Sequence, residues 1–239
     1  MDNPVYVTIA RQTALQRQMD VVANNIANAN TAAFKREGTL FAEVVERLPA
    51  EGERLSMGSD PASFTDLSAG PVSETGDPLT VAILSEGMLS VERDGETFYT
   101  RDGRFAMTPD GELSLLTGER VLDAGGSPIQ IPPDAAQIAI AKDGTVSADS
   151  QTLGKLNLFH LDAERLERVG NGLFRADEAP EPVEQPRFAQ GFLEASNVNP
   201  VVELVRMIEI QRAYEMGQNL LQAEHDRISE VTDIVGTTS

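Results

Sequence analysis

Cysteine and tryptophan are both missing from this 239-residue chain. The first absence excludes disulfides, thiolate chemistry and cysteine-based metal sites. It fits either side of a membrane and so fixes no compartment. The second, with aromatics at only 5%, leaves a core to be built mainly from Leu, Val, Ile, Met and Ala. Positive charge is scarce too: 19 Lys and Arg face 38 Asp and Glu, for a net charge of −19 and a pI near 4.4. A surface this acidic repels phosphate backbones and anionic lipid, which argues against nucleic-acid partners. No apolar run approaches the ~18–20 residues that cross a bilayer, so no direct membrane span is expected. The start, "MDNPVYVTIARQTALQRQMD", lacks the basic-then-apolar pattern of a Sec-type signal peptide. By itself this predicts a cytoplasmic chain.

Histidine is almost as rare, with only His160 and His225. No Gly-x-Ser-x-Gly elbow, Walker loop, HExxH or Rossmann fingerprint accompanies them. The Asp-Gly dipeptides lack the ligand spacing of a calcium loop. No catalytic, cofactor-binding or metal-binding residue is therefore predicted, and no enzyme.

What is present begins with a helical rhythm. Residues 4 to about 30 read as a helix, with Pro4 suited to its first turn. Leu15, Met19, Val22, Ile26 and Ala29 make a seam of alternating four- and three-residue steps. Asn24, Asn25, Asn28 and Asn30, poor helix formers, flank that seam. At the other end Asn199-Pro200 provides an N-cap and a first-turn proline, and no further proline interrupts 201–236. Met207, Ile210, Tyr214, Gly217, Leu221, Ile228 and Val231 fit one seam there, and Val201, Leu204 and Ile208 begin a second. Two seams on one helix imply more than one neighbour. The terminal helices could pack on each other, on other chains or on a sheet.

Between about 81 and 190 the pattern changes to short strand-like runs separated by Asp94-Gly95, Asp102-Gly103, Asp110-Gly111, Asp143-Gly144 and Asn171-Gly172. Such dipeptides supply the positive φ of tight hairpin turns, which predicts a β-meander feeding an all-β domain. Residues 49–80, rich in Pro, Gly and Ser, read as an extended connector.

"VANNIANANTAAFKRE" resembles the N-terminal motif of bacterial flagellar axial proteins, which build rod and hook. Ala23, Asn24, Asn25, Ile26, Ala27, Asn28, Thr31, Phe34 and Lys35 fall on it. "FYTRDGRF", "GELSLLTGERVLDAGGSPIQIP" and "GFLEASNVNPVVELVRMIEIQRAYE" are similar to three further stretches of the same proteins, in the same order. The start, the length and the single β domain resemble a proximal-rod member rather than a distal-rod or hook protein. Two departures stand out. Ala33 replaces a frequent glycine, which speaks against a left-handed residue there, and "LSEGMLSV" lacks the usual aromatic pair.

The resemblance implies a structural subunit of the flagellar basal-body rod, in the periplasmic space, exported without a cleaved signal. This reverses the cytoplasmic expectation. Its implied partners are copies of itself, proximal and distal rod proteins, and the flagellar type III export apparatus. The expected fold class is a multi-part α+β chain, with N- and C-terminal helices pairing as a coiled coil, plus a central all-β domain. The expected parts are 1–36 (helix and motif), 37–80 (connector), 81–194 (all-β outer domain) and 195–239 (long helix). The helices are expected to fold on assembly. The expected assembly interface is Leu15, Met19, Val22, Asn24, Asn25, Ile26, Asn28, Phe34, Leu204, Ile208, Gln211, Tyr214, Leu221 and Ile228, with the asparagine amides bridging adjoining chains. The competing readings are a β-rich binding module on a helical stalk, whose 81–190 fragment would bind ligand alone, and a hydrolase dependent on His160.

Overall fold

The computed structural model describes residues 3–40, 43–47, 54–58, 62–135, 137–149 and 151–236. These form two compact units.

The first unit contains α1 (Asn3–Ala27), α2 (Pro200–Gly236) and short strands between residues 37 and 64. The Asn199 side-chain oxygen accepts from the amides of Val201 (3.1 Å) and Val202 (3.3 Å). This is an N-cap on a helix whose first-turn proline has no amide to satisfy. Strand Glu37–Leu40 pairs with Ala62–Thr65, and Glu43–Arg47 pairs antiparallel with Arg54–Gly58. Gly38 lies under the Phe64 ring, where an added Cβ would come within 2.4 Å of it.

The expected coiled coil is not there, and the fold is corrected to a β-rich body with one helix near each end of the chain. A coiled coil hides its a and d positions between the helices. Here the second seam of α2 stands in the open: Val201 is 68% exposed and Leu204 51%, with Ile208 also exposed. One polar contact between the helices is a glutamine amide, Gln12 Nε2 donating to the Tyr214 carbonyl at 3.0 Å. It sits beside Gly217, whose missing Cβ leaves room for that amide. The physical reason is angular. At about 100° per residue, Met207, Ile210, Tyr214 and Leu221 fall on one side of α2, and Val201, Leu204, Val205 and Ile208 on the opposite side.

The second unit comprises Asn28–Arg36 and Thr65–Val198. Its main sheet has eight strands. Seven run in the order Leu166–Gly170, Leu173–Ala176, Glu96–Thr100, Met88–Arg93, Arg120–Val121, Leu113–Leu115, Phe105–Met107, and Leu158–Phe159 also pairs with Met88–Arg93. A three-stranded sheet (Ile138–Ile140, Thr145–Ala148, Gln151–Lys155) and two strand pairs complete it. Those pairs are Phe188–Gln190 with Val81–Ile83, and Phe192–Glu194 with Val72–Glu74. The core is aliphatic, as the composition requires: Leu89, Val91, Leu113, Val121, Val146, Leu156, Leu158 and Leu173 are wholly buried, with Phe98, Phe105 and Phe188 among them.

The turn dipeptides divide into two kinds. Asp94-Gly95 (φ 53 and 81) and Asn171-Gly172 (φ 53 and 73) place both residues left-handed and join strands that pair directly across them, the two-residue hairpin that Asp-Gly and Asn-Gly favour. Asp102-Gly103 does not turn. Gly103 lies outside the positive-φ region, and its missing Cβ admits the Val81 backbone, whose carbonyl oxygen would stand 1.8 Å from it.

Candidate assembly surfaces and a buried ion cluster

Asn25 is completely buried. Its amide oxygen accepts from the Glu37 N–H (2.9 Å), and its amide nitrogen donates to the Glu37 carbonyl (2.8 Å) and to Glu203 Oε2 (3.3 Å). A primary amide matches a peptide group donor for acceptor. One asparagine of α1 therefore binds a strand backbone and a carboxylate on α2 at once. Glu203 is also buried, and its other oxygen accepts from Arg206 at 3.2 Å. Asn25 was expected to reach an adjoining chain, but its hydrogen bonds are made inside its own.

The other expected interface residues are scattered by environment. Val22 and Phe34 are buried, while Leu15, Met19, Ile26, Asn28, Tyr214 and Leu221 are half-buried. Asn24, Leu204, Ile208 and Gln211 are exposed. Asn28 makes a turn with Thr31, its carbonyl accepting from the Thr31 amide and its side-chain oxygen from the Thr31 hydroxyl. The Ile228 side chain lies outside the described residues.

In the second unit the charged ends of three sequence motifs meet. Glu194 Oε1 accepts from Lys35 Nζ (2.6 Å) and the Gly70 amide (2.9 Å), and Glu194 Oε2 accepts from Arg101 Nε (2.8 Å). All three side chains are at most 4% exposed. Lys35 also donates to the Ser68 carbonyl at 2.6 Å, and Arg101 to the carbonyls of Ile83, Ser85 and Gly87. Ala33 is left-handed (φ 55) despite its side chain, and its amide donates to the Glu194 carbonyl at 2.9 Å. The left-handed residue that an alanine disfavours is therefore present. No role for Arg101, Glu194 or Glu203 was legible beforehand. The one available signal is a single charge inside an otherwise apolar or strand-like run, as in "GFLEASN".

Burial raises the Glu194 carboxyl, but the Arg101 charge and the bonds from Lys35 and Gly70 outweigh it and hold the pKa below the ordinary 4.5. Lys35 is also lowered, because burial, helped by Arg101, outweighs the Glu194 hydrogen bond and the Glu194 and Asp66 charges. Burial likewise acts against the charge on Asp66 and Glu119. The Ser68 bonds on the one and the Thr117 and Arg93 bonds on the other still leave both carboxyls lowered. Depressed carboxylates supply stability that is complete above the unfolded pKa and disappears as pH falls through the folded values. The second unit is thus expected to keep its melting temperature from neutrality to about pH 5 and lose it steadily below about pH 4.5, as thermal unfolding across that range would measure. For Lys35 the sign is the same but the window lies at the alkaline end, where its depressed value makes stability rise with pH toward the ordinary 10.5.

His160 and His225 are both exposed, and among the described residues no group of three His, Asp or Glu side chains is placed to hold a metal ion. No described helix is long and apolar enough to cross a membrane.

Three sequence families match the chain in order. Residues 6–35 match the family described as Flagella basal body rod protein, and residues 82–148 the Flagellar hook protein FlgE/F/G D1 domain. Residues 189–234 match the Flagellar basal body rod FlgEFG protein C-terminal. The chain belongs to this family of flagellar axial proteins and is a structural rod subunit of the basal body. It is 40% identical to the flagellar basal-body rod protein FlgF of Caulobacter vibrioides over 90% of both chains. Identity to FlgF of Mesorhizobium japonicum is 36% over the whole of both. FlgG of Agrobacterium fabrum is 32% identical over 92% of this chain and 94% of its own.

Proposed function

We propose that the chain takes the proximal-rod place of FlgF. In this reading the exposed faces of its terminal helices polymerise with copies of itself and with neighbouring proximal and distal rod subunits. It reaches the periplasmic rod through the flagellar type III export apparatus.

The observation that carries this reading is the open face of α2. Val201, Leu204, Val205 and Ile208 are large, aliphatic, exposed and on one side of the helix. Isolated exposed apolar residues need no explanation, but a contiguous row marks a contact surface. Each such side chain is worth about 1.5–3 kcal/mol when fully buried, so four suffice for a strong subunit contact. Asp at Leu204 and Ile208 together would put two charges into that contact while touching no buried group. The double variant L204D/I208D, produced in a strain lacking its own FlgF, is expected to leave cells without rods and non-motile, with the purified chain still folded by circular dichroism. Motile cells would sink the assignment of this face. Complementation by the unmodified chain separates the two rod positions: rescue of a strain lacking FlgG but not of one lacking FlgF would move it to the distal rod.

A further inference from the structure

Residues 31–36, "TAAFKR", are fastened to the second unit by groups remote in sequence. Beyond the Lys35 and Ala33 contacts to Glu194, the Asn197 side-chain oxygen accepts from the Arg36 amide at 2.7 Å and the Arg36 carbonyl accepts from the Asp66 amide at 2.8 Å. Arg168 donates to the Lys35 carbonyl and lies over the Phe34 ring, 4.7 Å from its centroid.

We infer that residues 31–36 form a strap that opens and closes as one piece, latched by the Glu194 carboxylate, and that opening it leaves the core of the sheet folded. The strap has little apolar attachment: Ala33 and Phe34 are buried, but neither belongs to the aliphatic cluster that holds the sheet together. Its hold is polar, and much of it converges on one residue. Without the Glu194 charge, Lys35 and Arg101 are two buried cations with no counter-ion between them. Arg101 keeps three carbonyl acceptors within the body of the unit, whereas Lys35 keeps only the Ser68 carbonyl. Lys35 is therefore the member that leaves, and it takes the strap with it. The left-handed Ala33 adds a conformational cost that opening relieves.

Native-state hydrogen exchange on the full-length monomer tests this. In the E194Q variant the strap amides of Ala33 and Arg36 are expected to lose at least about 30-fold protection together. The core amides of Leu113 and Ile129, which bond within the body of the unit, are expected to stay within about 3-fold of the parent chain. Equal losses in strap and core would overturn the inference, because the cluster would then belong to the global fold. Unchanged strap protection would overturn it as well. If E194Q does not fold, K35M decides. It removes the strap's own cation and leaves Arg101 and Glu194 as a balanced pair, so selective strap loss supports the latch and parallel or absent loss refutes it.

Discussion

An aspartate at Asn25 is expected to destabilise the first unit by about 3–5 kcal/mol, although the change replaces one nitrogen by oxygen. The carboxylate cannot donate to the Glu37 carbonyl and places a negative charge where the Glu203 carboxylate now accepts a hydrogen bond at 3.3 Å. It also leaves buried groups unsatisfied. The helix signal in circular dichroism should melt earlier in N25D, while exchange protection in the sheet of the second unit stays as in the parent chain. Adding Glu203→Gln should recover part of the loss, because a glutamine amide can donate to the new carboxylate. Failure of the second substitution to help would mean that the Glu37 backbone, and not Glu203, dominates what Asn25 does.

The other large effect is expected from alanine at Gly103. A Cβ there would stand 1.8 Å from the Val81 carbonyl oxygen and 2.9 Å from its carbon. Neither atom can give way: the Val81 amide donates to the Gly103 carbonyl at 2.9 Å, and Val81 is paired on its other side with Gln190. G103A is expected to cost more than about 4 kcal/mol, the range reached only by gross steric or buried-polar defects. The chain should recover from expression unfolded or insoluble. Alanine at Gly95 is the control. It has positive φ (+81) but open space around it, so only the conformational penalty of about 1 kcal/mol applies. Comparable losses in the two variants, measured by urea denaturation, would show that the close approach at Gly103 is not what matters.

These two glycines show where the fold was legible and where it was not. Asp94-Gly95 and Asn171-Gly172 could be read as hairpins because the constraint is local: two left-handed residues are needed, and few dipeptides supply them. Asp102-Gly103 looks identical in one dimension, but its glycine answers to a strand some twenty residues away. The coiled coil failed for a related reason. Periodicity shows that a helix has apolar faces, and α2 has two, but it does not say what covers each. The Glu194 cluster was hidden by distance, since residues 35, 101 and 194 share no local pattern. Of the asparagines flanking the α1 seam, Asn25 stands out by type and spacing, yet its partner is a peptide group on Glu37, and a peptide group has no signature in the sequence.

Residues 33–36 and 194–197 run side by side. The Ala33 amide bonds the Glu194 carbonyl, and the Asn197 amide reaches the Phe34 carbonyl at 3.3 Å. The longer segment of this body, Thr65–Val198, begins beside them as well, the Asn197 side-chain amide donating to the Asp66 carbonyl at 2.9 Å, so its two ends are neighbours closed by a short neck of hydrogen bonds. A body joined in this way behaves as an insert. Another domain of any size, or a short loop, can stand in its place provided its own ends are equally close. Axial subunits with larger or smaller β-rich bodies could thus arise by exchange at this neck, with the terminal helices kept unchanged.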